Sequence, residues 1–217
     1  MPFNSTKRDT TDLPDVASGI SAPGINATST YGYLYFYSKM DLYFMRHGHT
    51  NYNDLGLCND DPNQDVHLTE IGKEQAHSAA LALRDVAFER ILVSPLPRTF
   101  QTAAIINRFH SVPIEVHADL ADIRTGFDGM PVSDYFAAIT RDPLQMRVNG
   151  GESLLDHKQR VIRFIDWLKT QNDKTLLVVA HEETMRVVIA YFEGGIEDTH
   201  LRNIHVGNCE YRRYILA

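Results

Sequence analysis

Asp41-Leu42-Tyr43-Phe44-Met45-Arg46-His47-Gly48-His49-Thr50 decides how this chain reads. An apolar run of high strand propensity passes without a break into the polar turn Arg-His-Gly-x-Thr, with glycine where a backbone must bend sharply or approach another group closely. Open α/β sheets place their chemistry at such strand ends. A histidine held there beside a guanidinium, with no adjacent carboxylate, is disfavoured as the imidazolium and keeps a nucleophilic ring. Arg46 prepares a place for an anion. The chemistry this suggests is attack of His47 on a phosphoryl group.

Downstream of the turn, strand and helix patterns alternate. Residues 51–66, rich in Asn, Asp, Gly and Pro, read as a loop over the strand end. Leu68-Thr69-Glu70 opens a helix that turns Ile71, Ala76, Ala79, Ala80 and Leu83 inward and ends near Asp85. Residues 90–94 form a second strand, stopped by Ser94-Pro95-Leu96-Pro97, after which Arg98 stands in the first turn of a helix. A short strand at 114–116 leads to the irregular segment 119–129, then a short helix at 132–140 and a turn at Asn149-Gly150-Gly151. Glu152, favoured by the helix dipole, begins a long helix buried through Leu155, Val161, Phe164, Ile165 and Leu168. Residues 175–180 are uninterruptedly apolar, as a strand covered on both faces should be. His181, a helix at 184–192 and a last strand at about 210–216 follow. This alternation predicts a three-layer α/β fold, a mostly parallel central sheet flanked by helices.

Upstream, residues 1 to about 30 are rich in Ser, Thr, Pro, Gly, Asp and Asn without periodicity, which predicts disorder. The aromatic run from Tyr31 to Tyr37 predicts an added edge strand or a surface-clinging segment. Because Met40 directly precedes the motif strand, residues 1–39 are expected to be a loosely attached, dispensable extension of a folded domain at 40–217.

The 217 residues are 43% hydrophobic and 23% charged, enough for one core. A net charge of −7 argues against a nucleic-acid or acidic-membrane surface, so an anion must be met by a local basic pocket. Asp9, Asp12 and Asp15 stand where a secretory leader would need basic residues, and no run is long enough to span a bilayer. Cys58 and Cys209, far apart and outside any C-x-x-C spacing, read as reduced thiols. A cytoplasmic protein, monomer or homodimer, is expected.

His47, Arg98 and His181 thus share one setting, each just beyond a strand, and can converge on one pocket. With them the chain resembles the histidine phosphatase superfamily, or phosphoglycerate mutase-like family. The stretches that carry the resemblance are Arg46-His47-Gly48-His49-Thr50; Leu68-Thr69-Glu70-Ile71-Gly72-Lys73-Glu74-Gln75-Ala76; Ser94-Pro95-Leu96-Pro97-Arg98-Thr99-Phe100-Gln101-Thr102-Ala103; Gly151-Glu152-Ser153; and Val178-Val179-Ala180-His181, in family order from about Met40 to Leu216. The resemblance implies that His47 accepts the phosphoryl group, that Arg46, Arg98 and His181 hold its oxygens, and that Asn53 assists. It places the proton donor at Asp122, one methylene shorter than the usual glutamate, with Asp128 and Asp119 as fallback candidates. His49 stands where glutamate is usual, and Glu182-Glu183 replaces a glycine pair.

A phosphatase acting on a small phosphorylated substrate is therefore expected, with no cofactor and no metal, the arginines and His181 supplying positive charge. Phosphoglycerate mutase-type transfer is the alternative. It is disfavoured because the segment between Asp128 and Gly150 offers only Arg141 and Arg147, where family mutases carry a basic insertion. A non-catalytic phospho-ligand binder is a further alternative, and His47-Gly48-His49 also has the H-x-H spacing of metal hydrolases.

Overall fold

The computed structural model describes residues 39–217. Apart from Lys39, the segment expected to form an extension, including the aromatic run 31–37, lies outside the described residues.

Five strands, β1 (Met40–Arg46), β2 (Arg90–Val93), β3 (Ile114–Val116), β4 (Thr175–Ala180) and β5 (Tyr211–Leu216), form one sheet in the order β3-β2-β4-β1-β5. All neighbours pair in parallel except β5, which runs antiparallel to β1. The chain builds β1 first, then β2 and β3, and returns to fill the slot between β2 and β1 with β4, the strand whose Leu176, Leu177, Val178, Val179 and Ala180 are all wholly buried. Alternation along the strands divides the core. Tyr43, Met45, Ile91, Val93, Leu177 and Val179 share one face with residues of α2 (Glu70–Leu83) and α3 (Pro97–Ile106). Leu42, Phe44, Leu92, Leu176 and Val178 share the other with α5 (Leu154–Leu168) and α6 (Glu182–Glu193). This is the expected three-layer arrangement.

Local chemistry sets the element ends, and in places moves them. A five-residue helix, α1 (Asn51–Leu55), occupies the start of the expected loop. Thr50 caps it, accepting from Asn53 N while the Asn53 side chain accepts from Thr50 N, a reciprocal capping box. Glu152 does not begin α5. Ser153 is the cap, in a second capping box with Asp156, so the first inward residue is Leu154 rather than Leu155. Ile71 is exposed on α2, where Gly72 faces inward instead. The remaining helix, α4 (Val132–Ala138), stands over the strand ends. No helix among the described residues is long and apolar enough to cross a membrane.

Candidate active site

Register brings the predicted residues together. Arg46 pairs with Ala180 across β1 and β4, so His47 and His181 leave neighbouring strands side by side, with ring centroids 5.3 Å apart. Val93 pairs with Val179, which sets Ser94 and the start of α3 at the same level on the far side of β4. Three adjacent parallel strands thus deliver His47, His181 and Arg98 to one point.

The turn after β1 is clamped from behind. Gly48 N donates to Thr102 Oγ1 (3.0 Å), His49 N to Gln75 Oε1 (3.0 Å) and Thr69 N to His49 O (3.0 Å). A Cβ on Gly48 would lie 2.6 Å from the carbonyl oxygen of Gly72, and one on Gly72 would lie 2.0 Å from that of His49. The close approach foreseen for Gly48 is therefore to backbone, and the motifs around Gly72 and Thr102 form the support of the turn. His49 faces this support: its ring contacts Thr69 Oγ1 (3.1 Å) and lies 3.6 Å from Asp54, and it does not line the cavity.

His47 is buried, and its partners fix its tautomer. Nδ1 lies 2.7 Å from the Gly48 carbonyl oxygen, which can only accept, so Nδ1 carries the proton. Nε2 accepts from Arg98 Nε at 3.1 Å, so its lone pair points at the guanidinium. Burial first, then the charge of Arg98, hold the imidazole pKa well below its usual value. The ring is neutral, as the sequence suggested.

Arg98, in the first turn of α3 and almost wholly buried, is fixed by every arm of its fork. Besides His47 it donates to the Asn59 side-chain oxygen (2.5 Å), to Asn59 O (3.2 Å) and to Asp122 Oδ2 (3.0 Å). Arg46 Nη1 donates to Val206 O (2.6 Å) and lies 3.0 Å from Glu182, while its buried Nε has no partner among the described residues. His181 is wholly buried. Its Nε2 meets Ser94 Oγ at 2.7 Å, and its Nδ1, without a hydrogen-bond partner among the described residues, lies 3.4 Å from Asp122 Oδ2. Burial and Arg98 push its pKa far down too. That shift favours the neutral ring, in which case the positive charge expected of His181 falls to the arginines.

A cavity of about 230 Å³ opens over these groups, lined by Arg46, His47, Asn53, Arg98 and Asp122 among others. His181 stands outside the lining. Asn53 uses its side-chain oxygen for the capping box, which directs its amide nitrogen to other acceptors. Asp119 and Asp128 do not line the cavity. Asp128 accepts from Asn59 and from the backbone of Asp60 and Asp61, bracing that loop, and Asp119 lies 3.6 Å from Arg163.

Two further groups shape the site. Asn59 aims Arg98, yet in sequence it is one polar loop residue among many. Arg160 donates to the carbonyls of Asp119 (2.8 Å), Ala121 (2.7 Å) and Asp122 (3.0 Å) while paired with buried Glu152 (2.8 Å). Glu152 also accepts from Arg124 N (3.1 Å), so the Gly-Glu-Ser motif holds the segment that carries Asp122. Among the described residues no group of three or more His, Cys, Asp or Glu side chains is placed to hold a metal ion.

The arrangement presents a neutral imidazole lone pair and two arginines, with Arg46 Nε and His181 Nδ1 buried and without partners among the described residues, a setting for a tetrahedral anion. Comparison with known proteins agrees. The sequence profile of the histidine phosphatase superfamily (branch 1) matches residues 42–216. The adenosylcobalamin/alpha-ribazole phosphatase of Salmonella typhimurium is 30% identical over 70% of this chain and 78% of its own length. A 2,3-bisphosphoglycerate-dependent phosphoglycerate mutase of Thermoplasma acidophilum is 27% identical over 72% and 78%. The crystal structure of the alpha-ribazole phosphatase from Shigella flexneri superposes with a TM-score of 0.72 at 26% identity, covering 80% of this chain and 89% of that one. With the profile spanning β1 to β5 and the strand-end histidines in register, the chain belongs to the histidine phosphatase superfamily.

Proposed function

We propose that this protein is a metal-independent phosphatase of a small phosphate monoester, working through a phosphohistidine on His47. The observation that carries this reading is the tautomer of His47: Nδ1 is committed to Gly48 O, so Nε2 carries the nucleophilic lone pair, which points at Arg98.

Nε2 attacks phosphorus as the ester P–O bond breaks in line. Arg46 and Arg98 hold the equatorial oxygens, with Asn53 and the Nδ1 proton of His181 as further donors. Asp122 gives the departing alkoxide its proton; a phosphoryl group that takes over the Arg98 Nη2 arm leaves Oδ2 free to carry it. As carboxylate, Asp122 then takes a proton from the water that attacks phosphorus. The N–P bond breaks, and phosphate leaves with His47 neutral again. General acid catalysis of this kind contributes roughly 10² to 10⁴ in rate.

Release to water is favoured over mutase transfer because Arg147 is engaged with Asp156 and neither it nor Arg141 lines the cavity. A reducing, cytoplasmic setting suits the free thiols of Cys58 and Cys209. The test is turnover of p-nitrophenyl phosphate that survives EDTA and vanishes in His47→Ala. Sensitivity to chelation would point to a metal hydrolase, and conversion of 3-phosphoglycerate to 2-phosphoglycerate primed with bisphosphoglycerate would point to a mutase.

A further inference from the structure

We infer that the cavity wall built around Glu183 is a substrate-selecting subsite, taking a compact phosphate ester whose alcohol carries a hydrogen-bond donor, hydroxyl or ammonium, and no second anionic group. The inference rests on the phosphatase reading and names the substrate class of that same site.

Glu183 lies in the first turn of α6, lines the cavity and is only 9% exposed. Its two carboxylate oxygens differ. Oε1 accepts from Arg186 Nη1 (2.9 Å) and Arg202 Nε (3.2 Å), whereas buried Oε2 has no partner among the described residues. Burial raises the Glu183 pKa, against the pull of the Arg186 and Arg202 guanidiniums on Oε1; once ionised, the group presents Oε2 as an acceptor withdrawn from water, a costly state unless a donor is brought to it. The position is rigid, since Arg202 also donates to the Tyr135 hydroxyl (2.8 Å) and lies over the Tyr135 and Phe136 rings, 5.5 and 5.1 Å from their centroids. Both aromatic residues line the same cavity.

Charge in the cavity points the same way. The cations lining it are Arg46, Arg98 and Arg186, and the carboxyl groups are Asp122, Glu182 and Glu183; with substrate bound Asp122 carries the proton it donates, which leaves Glu182 and Glu183 as the anions. One phosphoryl group takes Arg46 and Arg98. A second anion would meet Glu182, which is already shared by Arg46 and Arg186, and the carboxylate of Glu183. A cavity of about 230 Å³ leaves little room to avoid them.

The experiment compares kcat/KM of the full-length protein at pH 8 for O-phosphoethanolamine, glycerol 1-phosphate and 3-phosphoglycerate, whose alcohols carry an ammonium, hydroxyls, and a carboxylate respectively. The expected preference for at least one of the first two over the third is about tenfold or more, the size of one charge-assisted hydrogen bond. The two donor-bearing esters tell ammonium from hydroxyl recognition. Glu183→Gln, close in shape and able to offer an N–H to a carboxylate, should shrink that ratio, chiefly through KM. Turnover of p-nitrophenyl phosphate with no preference among the three, or a ratio unchanged in Glu183→Gln, would overturn this inference alone. Absence of turnover on any ester would overturn the phosphatase reading and this inference with it.

Discussion

Arg98 Nε stands 3.1 Å from His47 Nε2, so the nucleophile's lone pair is capped by the cation that would also bind the group it attacks. A phosphoryl group entering the cavity can take both partners at once, accepting from the guanidinium while the lone pair turns to phosphorus. Arg98→Ala should therefore lower kcat/KM for p-nitrophenyl phosphate by roughly 10- to 100-fold or more, given about 1.5 to 3 kcal/mol for each charged hydrogen bond. Arg98→Lys should restore little. An ammonium cannot reach His47, Asn59 and Asp122 together, as the fork does. Steady-state kinetics on the two variants decide the point, and near wild-type activity in the lysine variant would count against a positioning fork.

Burial of neutral histidines makes acid stability a second observable. His47 and His181 are held well below their usual pKa and His157 at about 4, each by burial first. The unfolded chain takes up these protons near pH 6.5, whereas the folded one refuses them until lower pH. Between about 4 and 6.5 the unfolded state thus binds more protons, so stability is full above this window and is lost as pH falls through it. For His157 alone the loss amounts to about 3 kcal/mol. Melting temperature should be flat from pH 8 to 7 and decline steeply below 6.5, and His157→Gln should make the decline shallower. A melting temperature constant from pH 7 to 5 would contradict the neutral assignment.

Much of this was legible in the sequence, and the parts that were not share a cause. Strands β1, β2 and β4 could be read because apolar runs ended by Arg46, Ser94 and His181 announce themselves locally, and parallel pairing then forces their ends together. His47, Arg98 and His181 follow from those ends, whereas Asp122 is reached only through the family resemblance. Asn59, Arg160 and Glu152 act through contacts across 39, 38 and 28 positions of chain, and no local pattern encodes which backbone carbonyl or guanidinium they will meet. Glu152 reads as the start of a helix through its favourable dipole position; its pairing with Arg160 in a buried setting outweighs that, and Ser153 takes the cap. The short helix α1 was hidden in a loop-like composition although Thr50 and Asn53 spell its capping box.

The pairing of Glu152 with Arg160 yields a third prediction. Arg160 holds the Asp122 segment by the carbonyls of Asp119, Ala121 and Asp122 without lining the cavity. Arg160→Met should cost about 3 to 5 kcal/mol of stability, because it leaves the Glu152 charge buried without its partner. Glu152→Gln/Arg160→Met, which removes both charges, should recover part of that loss. Chemical denaturation of the single and double variants measures the coupling, and strict additivity would show that the two do not act together.

Asp122 offers the sharpest test of proton donation, because the need for an acid depends on the alcohol that leaves. A p-nitrophenolate departs without a proton, whereas an alkoxide does not. If Asp122 protonates the leaving oxygen, Asp122→Asn should slow turnover of an alkyl phosphate by about 10² to 10⁴ and that of p-nitrophenyl phosphate far less, since the single Asn oxygen can still accept from Arg98 Nη2 as Oδ2 does, giving up only the Ile123 N–H that Oδ1 takes. Asp128→Asn and Asp119→Asn, which alter residues outside the cavity, should show no such dependence on the leaving group. An equal loss on both esters in Asp122→Asn would mean that the side chain positions Arg98 rather than delivers a proton. The same selective loss appearing in Asp128→Asn instead would move the acid to the loop that Asn59 and Asp128 brace.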